Sequence, residues 1–297
     1  MAGGDGSLND QHRQLHADGG RGASAVTGTV RYDIASKIAT FTPAANLAPL
    51  TAYTATMTTG TTDLAGNALA ENFVWSFTTT ATAVGQAPVA LGASTAFAVL
   101  AGSTVTSTGA TAVNGDLGVS PGTAVTGFFT VDGGPGIVNG TIYNVTPGLA
   151  ATAQGDLTTA YNDAVGRTVG AITVAGNLGG QTLAPGLYKS TSWLEISSGD
   201  LTLDAQGDAN AVFIFQMAST LATTSGRQVI LCGGARAANV FWQVGSSATL
   251  GTASVFKGTI MADQSITLTT GATLEDRALA RIGAVTLDGN IITIPVP

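Results

Sequence analysis

A Thr-Leu pair recurs along the C-terminal two-thirds of the chain. The pairs are Thr182-Leu183, Thr202-Leu203, Thr220-Leu221, Thr249-Leu250, Thr267-Leu268 and Thr286-Leu287. By subtraction, their leucines are 20, 18, 29, 18 and 19 residues apart. A near-constant period of this length is typical of repeat architectures. The pattern therefore predicts a β-solenoid with one enlarged coil.

Polar and apolar positions alternate within these segments, as in strands with one buried side. Successive side chains of a strand point to opposite faces. If each leucine points inward, the preceding threonine and the residue after the leucine point outward. The predicted outward pairs are Thr104 and Thr106, Thr202 and Asp204, Thr220 and Ala222, Thr249 and Gly251, Thr267 and Thr269, and Thr286 and Asp288. Stacked coils are thus expected to carry a flat outer ladder of threonine and small residues.

One segment departs from the β pattern. Between Pro147 and about Val165, apolar residues recur every three or four positions, which indicates an amphipathic helix. Thr146 is the expected N-cap, Pro147 the first helical residue, and Gly166 lies near the end. We expect the helix to lie along the solenoid and to cover outward-pointing aromatic residues. These are Phe213, Phe215 and Phe241.

The N-terminal part has a different organisation. Residues 1–22 are polar and glycine-rich, which predicts a disordered tail. Residues 23–80 contain four short β-runs, at 26–32, 39–42, 53–59 and 73–79, separated by turn residues, as in a β-sandwich. Residues 81–88 form a predicted linker, and residues 89–297 form the solenoid.

Composition excludes several classes of partner. Only 10% of residues are charged, against about a quarter in an ordinary soluble domain. The net charge of −7 disfavours nucleic acid and anionic membranes, which require clustered Lys and Arg. No apolar stretch approaches the roughly 20 residues of a membrane span, and no signal peptide is recognisable. Cys232 is the only cysteine, and its apolar neighbours predict a buried, inert thiol.

Catalytic chemistry is not indicated. Asp204 and Asp288 could lie on one face, but several coils would separate them, so we interpret them as turn or rim carboxylates. Both histidines, His12 and His16, lie in the predicted tail, which leaves no serine with a histidine base. The glycine-rich segment 133–136 opens no helix and contains no lysine, so it is interpreted as a surface loop. We expect no enzyme activity, no cofactor and no metal.

The threonine ladder is the main candidate for function. Side chains on one face repeat at about 6.6 to 6.8 Å along a strand, and at about 4.7 to 4.9 Å across coils. A rigid grid of methyls and hydroxyls at these spacings can order water in a pattern compatible with an ice surface. The alternative is that threonine is simply a good β-former on an exposed face.

Longer stretches of the chain resemble a known family. They are Phe97-Ala98-Val99-Leu100-Ala101-Gly102, Gly115-Asp116-Leu117-Gly118-Val119-Ser120-Pro121-Gly122, Asp156-Leu157-Thr158-Thr159-Ala160-Tyr161, Asn177-Leu178-Gly179-Gly180, Pro185-Gly186-Leu187-Tyr188, Phe213-Ile214-Phe215-Gln216, Asn239-Val240-Phe241-Trp242-Gln243-Val244-Gly245, and Gly271-Ala272-Thr273 through Arg277-Ala278-Leu279-Ala280-Arg281. Over roughly 200 residues the sequence is similar to the ice-binding (antifreeze-like) protein family. This resemblance implies a discontinuous right-handed β-helix of triangular section with a long helix packed alongside. It also implies binding to ice through one flat face, without catalysis or cofactor.

Some members of that family carry the pattern Thr-(Ala or Gly)-x-(Thr or Asn). Matches begin at Thr108, Thr111, Thr123 and Thr270, whereas Thr252-Ala253-Ser254-Val255 departs at its last position. Together, the ladder and the motif give one set of candidate ice-binding residues. They are Thr104, Thr106, Thr108, Thr111, Thr220, Thr223, Thr249, Thr252, Thr267, Thr269, Thr270 and Thr286.

The N-terminal β-runs resemble a second family, the bacterial Ig-like domain. The resemblance rests on Ala39-Thr40-Phe41-Thr42-Pro43, Leu50-Thr51-Ala52-Tyr53-Thr54-Ala55, Asp63-Leu64-Ala65-Gly66-Asn67 and Trp75-Ser76-Phe77-Thr78. It covers about the last half of that family's length, which implies a truncated sandwich. The sequence is thus interpreted as a secreted or cell-surface, monomeric ice-binding protein. The alternatives are a cell-surface adhesion or matrix module and, less favoured, a carbohydrate-active β-helix.

Overall fold

A computed structural model describes residues 13–17 (backbone only), 25–33, 38–44, 47, 51–62, 67–79, 85–145 and 147–295. The chain divides into two compact units, Met1–Thr82 and Ala83–Pro297. Thr146, the expected N-cap, and residues 63–66, part of the segment that resembles the Ig-like domain, lie outside the described residues.

The first unit is antiparallel. Its strands are β1 (Arg13–Ala17), β2 (Ala25–Val26), β3 (Gly28–Asp33), β4 (Ile38–Pro43), β5 (Ala52–Met57) and β6 (Phe73–Thr78). One sheet has the order β2-β1-β5-β6, and β3 and β4 form a separate hairpin. The prediction of a disordered tail over residues 1–22 is wrong for residues 13–17, because β1 pairs with both β2 and β5. The rest of that tail, with His12, lies outside the described residues.

The second unit is built from stacked parallel strands, one per coil in each sheet. The nine-stranded first sheet runs, in spatial order, β13 (Ile142–Tyr143), β10 (Asp116–Val119), β7 (Phe97–Ala101), β28 (Ala278–Ala280), β25 (Thr259–Ala262), β22 (Val240–Val244), β19 (Phe213–Met217), β16 (Gly186–Ser190) and β14 (Ala171–Thr173). The seven-stranded second sheet runs β11 (Ala124–Thr126), β8 (Thr104–Ser107), β29 (Val285–Leu287), β26 (Ile266–Leu268), β23 (Ala248–Leu250), β20 (Leu221–Thr223) and β17 (Leu194–Ile196).

Two shorter sheets complete the coils. The third runs β12 (Ile137–Val138), β9 (Ala112–Asn114), β30 (Ile291–Thr293), β27 (Thr273–Glu275) and β24 (Val255–Lys257). The fourth runs β15 (Thr182–Leu183), β18 (Leu201–Asp204) and β21 (Val229–Cys232). A single bridge between Gln228 and Val255 connects them. The predicted mostly β solenoid with parallel strands is confirmed.

The order of the coils in space differs from their order in sequence. The last strands of the chain pair with the first, since β28 pairs with β7, β29 with β8 and β30 with β9. The sheets are therefore continuous although the sequence that forms them is not.

The interior is a ladder of apolar side chains. Of the six predicted inward leucines, five are buried and Leu183 is half-buried. The strand register shows two enlarged coils of 27 residues, from 186 to 213 and from 213 to 240, instead of the one predicted. In the core Tyr188, Phe215, Trp242 and Phe256 form a row of contacting rings, in which Phe215 and Trp242 stack with centroids 4.0 Å apart and Phe256 is tilted by 49° against Trp242. The buried indole N–H of Trp242 donates to the carbonyl of Lys257 at 3.0 Å. Burial of this large apolar area is the main stabilising contribution to the coil stack.

The described residues contain two α-helices, α1 (Phe129–Asp132) and α2 (Leu149–Gly166), and two short 3-10 helices, Gly92–Ala96 and Ala237–Asn239. The predicted long helix is present, but it begins after Gly148, so Pro147 is not its first helical residue. No described helix is long and apolar enough to cross a bilayer. The C-terminal end of α2 is tied to β19, because the Gln216 amide donates to the carbonyls of Ala164 and Arg167 at 2.5 and 2.8 Å.

The buried side of α2 contacts the outer side of the first sheet. Ala153 and Leu157 pack in one cluster with Phe97, Ile214 and Phe241. The expectation that Phe213 and Phe215 also face the helix is wrong, because alternation along β19 points them into the solenoid core and points Ile214 outward. At the ends of the predicted apolar stripe, Leu149 and Val165 are 41% and 45% exposed.

Candidate functional site

The outer side of the second sheet carries an uninterrupted row of threonines. In six of its seven strands an outward residue lies between two buried ones, and in β11 the outward Thr126 follows the buried Val125. The register aligns these outward residues across all seven strands. In spatial order this central row is Thr126, Thr106, Thr286, Thr267, Thr249, Ala222 and Glu195. Five threonines therefore lie side by side at the inter-strand spacing of about 4.8 Å.

A row made mostly of Thr, Ser, Ala and Gly flanks the central row on each side. The residues two positions before the central row form one flanking row in the same register: Ala124, Thr104, Ala284, Ser265, Ser247, Thr220 and Trp193. The other flanking row is Thr108, Asp288, Thr269, Gly251, Thr224 and Ser197. We call these three rows the threonine face. None of its residues is Lys or Arg, and its two carboxylates are Glu195 and Asp288.

Local hydrogen bonds fix several hydroxyls of the threonine face. Thr104 Oγ1 and Thr106 Oγ1 are 3.3 Å apart, and the Thr269 hydroxyl donates to the carbonyl of Leu250 at 2.8 Å. The Ser265 hydroxyl accepts the N–H of Ala284 at 3.2 Å. β-branched side chains are stiff about χ1, and these contacts restrict the hydroxyls further. The resulting surface is nearly uncharged, and several of its hydroxyls have fixed positions.

The structure brings most of the predicted residues together. Thr104, Thr106, Thr249, Thr267 and Thr286 lie in the strands, and Thr108, Thr220 and Thr269 lie one residue beyond a strand end. Thr252 and Thr270 are exposed in turns at the edge of the face. Thr252 Oγ1 is 3.4 Å from Thr269 Oγ1, and the Thr270 hydroxyl donates to Asp288 at 2.5 Å.

The prediction that Thr111 and Thr223 contact ice is wrong, because both side chains are buried. Thr223 is 6% exposed, aligned with the inward Ile196, and its hydroxyl accepts the N–H of Gly251 at 2.8 Å. Thr111 is 1% exposed at a corner of the coil, where its hydroxyl accepts from the Ser107 hydroxyl at 2.8 Å. Both threonines satisfy internal donors and cannot contact an external surface.

The Thr-Leu pairs do not form one ladder. Thr182 and Thr202 belong to the fourth sheet, so the predicted outward pair Thr202 and Asp204 lies on a different face from Asp288. The prediction also missed members of the threonine face. Thr126, Thr224, Ser247 and Ser265 are absent from the predicted set, although Thr126 closes the motif that begins at Thr123. Ser247 and Ser265 could have been predicted, because each lies two residues before an outward threonine, Thr249 or Thr267, and alternate residues of a strand point to the same side.

The remaining outer surfaces have a different character. The third sheet exposes Ile291 at 51% and an ion pair between Lys257 and Glu275. The fourth sheet exposes Ile230 at 41%. Cys232 is exposed there, contrary to the expected buried thiol, because it ends β21 on its outer side. Loss of hydration and then the Asp204 carboxylate raise the pKa of this thiol. The first sheet is covered by α2.

No metal or acid cluster accompanies the threonine face. Within the described parts of the chain, no group of three His, Cys, Asp or Glu side chains is placed to hold a metal ion. Asp204, interpreted above as a turn or rim carboxylate, and its neighbours Asp200 and Asp208 have local partners. Asp204 accepts the N–H of Gln206 at 2.9 Å, Asp208 accepts that of Asn210 at 2.8 Å, and Asp200 pairs with Arg227.

Comparison with known proteins is consistent with this architecture. The sequence profile described as "Ice-binding-like" matches residues 99–293, about two-thirds of the chain. The chain belongs to this family. An ice-binding protein from Nostoc sp. (strain HG1) is 48% identical over 204 residues, covering 68% of this chain and 73% of that protein. An ice-binding protein from Flavobacterium frigoris (strain PS1) is 38% identical over 223 residues, covering 70% and 76%.

Members of the ice-binding-like family with solved structures share the fold. The crystal structure of an ice-binding protein from an Antarctic biological consortium aligns with a TM-score of 0.69 at 56% identity, covering 72% of this chain and 95% of that one. That of an ice-binding protein from Antarctomyces psychrotrophicus aligns with a TM-score of 0.65 at 39% identity, covering 71% and 100%. A bacterial Ig-like domain profile matches residues 8–79. This match begins upstream of the predicted start at residue 23 and includes β1.

Proposed function

We propose that the chain binds ice through the threonine face. The observation that carries the proposal is the central row, in which five adjacent strands each present an outward threonine. Family membership supports ice as the partner, since the relatives at 48% and 38% identity are themselves ice-binding proteins. Adsorption along this face restrains growth of the crystal planes that it covers, and so inhibits recrystallisation.

The chemistry of the face suits a partner made of water. Methyl groups impose cage-like hydration, and hydroxyls at fixed positions hydrogen-bond that water. Because the strands repeat at about 4.8 Å and alternate side chains at about 6.7 Å, the anchored water adopts a regular two-dimensional pattern. The buried Leu, Ile and Val ladder beneath the face keeps that pattern rigid. The binding step needs no catalytic group, cofactor or metal.

We also infer the finer features of the fold that the family resemblance implies. The coils form a right-handed helix of triangular section with α2 packed alongside. Residues 23–80, extended upstream to include β1, are an Ig-like sandwich segment, residues 81–88 are a linker, and residues 89–297 are the ice-binding domain. Ice forms outside cells, so we place the protein in the secreted or cell-surface class, acting as a monomer without nucleic acid or membrane insertion.

The direct test is ice-crystal shaping in a slowly cooled droplet. An ice-binding chain is expected to facet the crystal and to open a gap between melting and freezing temperatures that grows with protein concentration. Round crystals with no such gap, at concentrations where the protein is folded, would refute the proposal. They would favour the alternative of a non-enzymatic adhesion or matrix module.

A further inference from the structure

The threonine face changes character at β17. This strand is the last in the second sheet, where it pairs with β20, and beyond it residues 176–178 add one further rung in which Asn177 is bridged to Glu195. Its register places Glu195 beside Ala222 in the central row, and Trp193 beside Thr220 in a flanking row. In the six preceding strands the central row contains only threonine and alanine. The seventh strand instead contributes a carboxylate and an indole.

The Glu195 carboxylate is partly exposed and held in place by a hydrogen bond. It is half-buried, and its Oε1 accepts a hydrogen bond from the Ser197 hydroxyl at 2.6 Å. β17 is hydrogen-bonded to the neighbouring segment, since the backbone N–H of Glu195 donates to the carbonyl of Gly176 at 2.7 Å. Removing an ionised carboxylate from water without giving it a charged partner costs much free energy. Ice offers no countercharge, so pressing this group against a crystal is unfavourable.

Trp193 adds bulk on the same strand. Its side chain is 42% exposed, and its ring lies against the backbone of Gly176. A Cβ added to Gly176 would lie only 2.6 to 2.8 Å from three atoms of that ring. The indole is thus held at the end of the sheet, where it takes more volume than the Ser and Thr side chains of its row.

From this geometry we infer that Trp193 and Glu195 set the boundary of the ice-contacting area, which spans six of the seven strands and stops at β20. The inference rests on the proposed function and deepens it. Glu195 is the stronger determinant because it lies in the central row. Replacing it with threonine extends the methyl and hydroxyl pattern to the seventh strand.

The test compares freezing-point depression of Glu195→Thr with wild type at equal molar concentrations. The variant is expected to show the larger depression, because its contact area with ice is greater. Glu195→Lys, which retains a charge at the same position, is expected to stay at or below the wild-type value. Ile230→Thr is the matched control, since it adds an outward threonine to β21 on the fourth sheet, and no change is expected. Thermal unfolding of each variant checks that it is folded.

Two results would overturn the inference. One is a folded Glu195→Thr protein with wild-type or lower activity, and the other is an equal gain in Ile230→Thr. If Glu195→Thr fails to fold, Glu195→Ala replaces it, with a gain expected in the same direction. Failure of the wild-type protein itself to shape ice would refute the proposed function instead, so the two failures are distinguishable.

Discussion

A threonine hydroxyl in this solenoid either faces solvent or satisfies a donor inside the coil. Thr249 is an exposed member of the central row, whereas the buried Thr223, on the adjacent strand, accepts the partly buried N–H of Gly251. We expect Thr223→Val to lower the free energy of unfolding by about 1 to 3 kcal/mol, because it leaves that N–H unpaired. Thr249→Val should change it by no more than about 0.5 kcal/mol. Denaturant unfolding of the two variants measures this difference, and equal stabilities would contradict the burial assignment.

Among the described residues, the buried carboxyl of Asp276 is expected to make the stability of the solenoid depend on pH. Asp276 is fully buried, and one of its oxygens has no hydrogen-bond partner among the described residues. Burial raises its pKa from 3.8 to about 6, while the neighbouring Arg277 acts in the opposite direction. The folded state therefore binds the proton more tightly than the unfolded state does. Above pH 6 the ionised, buried Asp276 lowers the free energy of unfolding by its full amount. As the pH falls from about 6 towards about 4, Asp276 is protonated in the folded state and the free energy of unfolding rises.

The Asp276→Asn variant isolates this contribution. We expect the difference in melting temperature between variant and wild type to change across that pH window and to stay constant above it. A difference that stays flat from pH 4 to pH 7 would show that the pKa of Asp276 is not raised in the folded state.

At the scale of elements, α2 stabilises the solenoid through one side only. Leu157 is fully buried against the first sheet, whereas Leu149, on the same helix, is 41% exposed. We expect Leu157→Ala to cost about 2 to 5 kcal/mol of unfolding free energy, with Leu149→Ala as a control near zero. Deleting residues 147–166 would expose Phe97, Ile214 and Phe241 and cause aggregation. Similar melting temperatures for the two alanine variants would argue against the packing of α2.

The elements also show what the sequence could predict. Alternation correctly assigned inner and outer positions in β23, β26 and β29, because each has a leucine beside an outward threonine. It could not tell which strands share a sheet, since that depends on where the chain turns. Thr202 and Thr249 occur in the same Thr-Leu pattern but lie in different sheets.

Local context explains the remaining errors. In β20 the outward residue is Ala222, so the hydroxyl of Thr223 turns inward. In β19 all five residues are buried, so composition did not reveal which side faces the helix. The extent of the threonine face, including Thr126 and Ser265, follows only from the register of strands distant in sequence.

At the scale of the whole molecule, ice binding is expected to reside in the second of the two units alone. All residues of the threonine face lie in the unit Ala83–Pro297. A protein of residues 83–297 is therefore expected to retain the thermal hysteresis of the full chain at equal molar concentration. Side-by-side measurement of the two proteins checks this. A folded truncation without activity would mean that the Ig-like segment takes part in ice binding.

The central claim is that the threonine face, and no other surface, contacts ice. Thr267 lies in the middle of the central row, and Thr202 is a similarly half-buried, outward threonine on the fourth sheet. The decisive measurement is thermal hysteresis of Thr267→Tyr against Thr202→Tyr. The bulky ring at position 267 is expected to separate the flat face from the crystal and remove most of the activity. The same ring at position 202 should leave activity unchanged, with both variants within about 0.5 kcal/mol of wild-type stability. Full activity in Thr267→Tyr, or an equal loss in Thr202→Tyr, would contradict the assignment of the face.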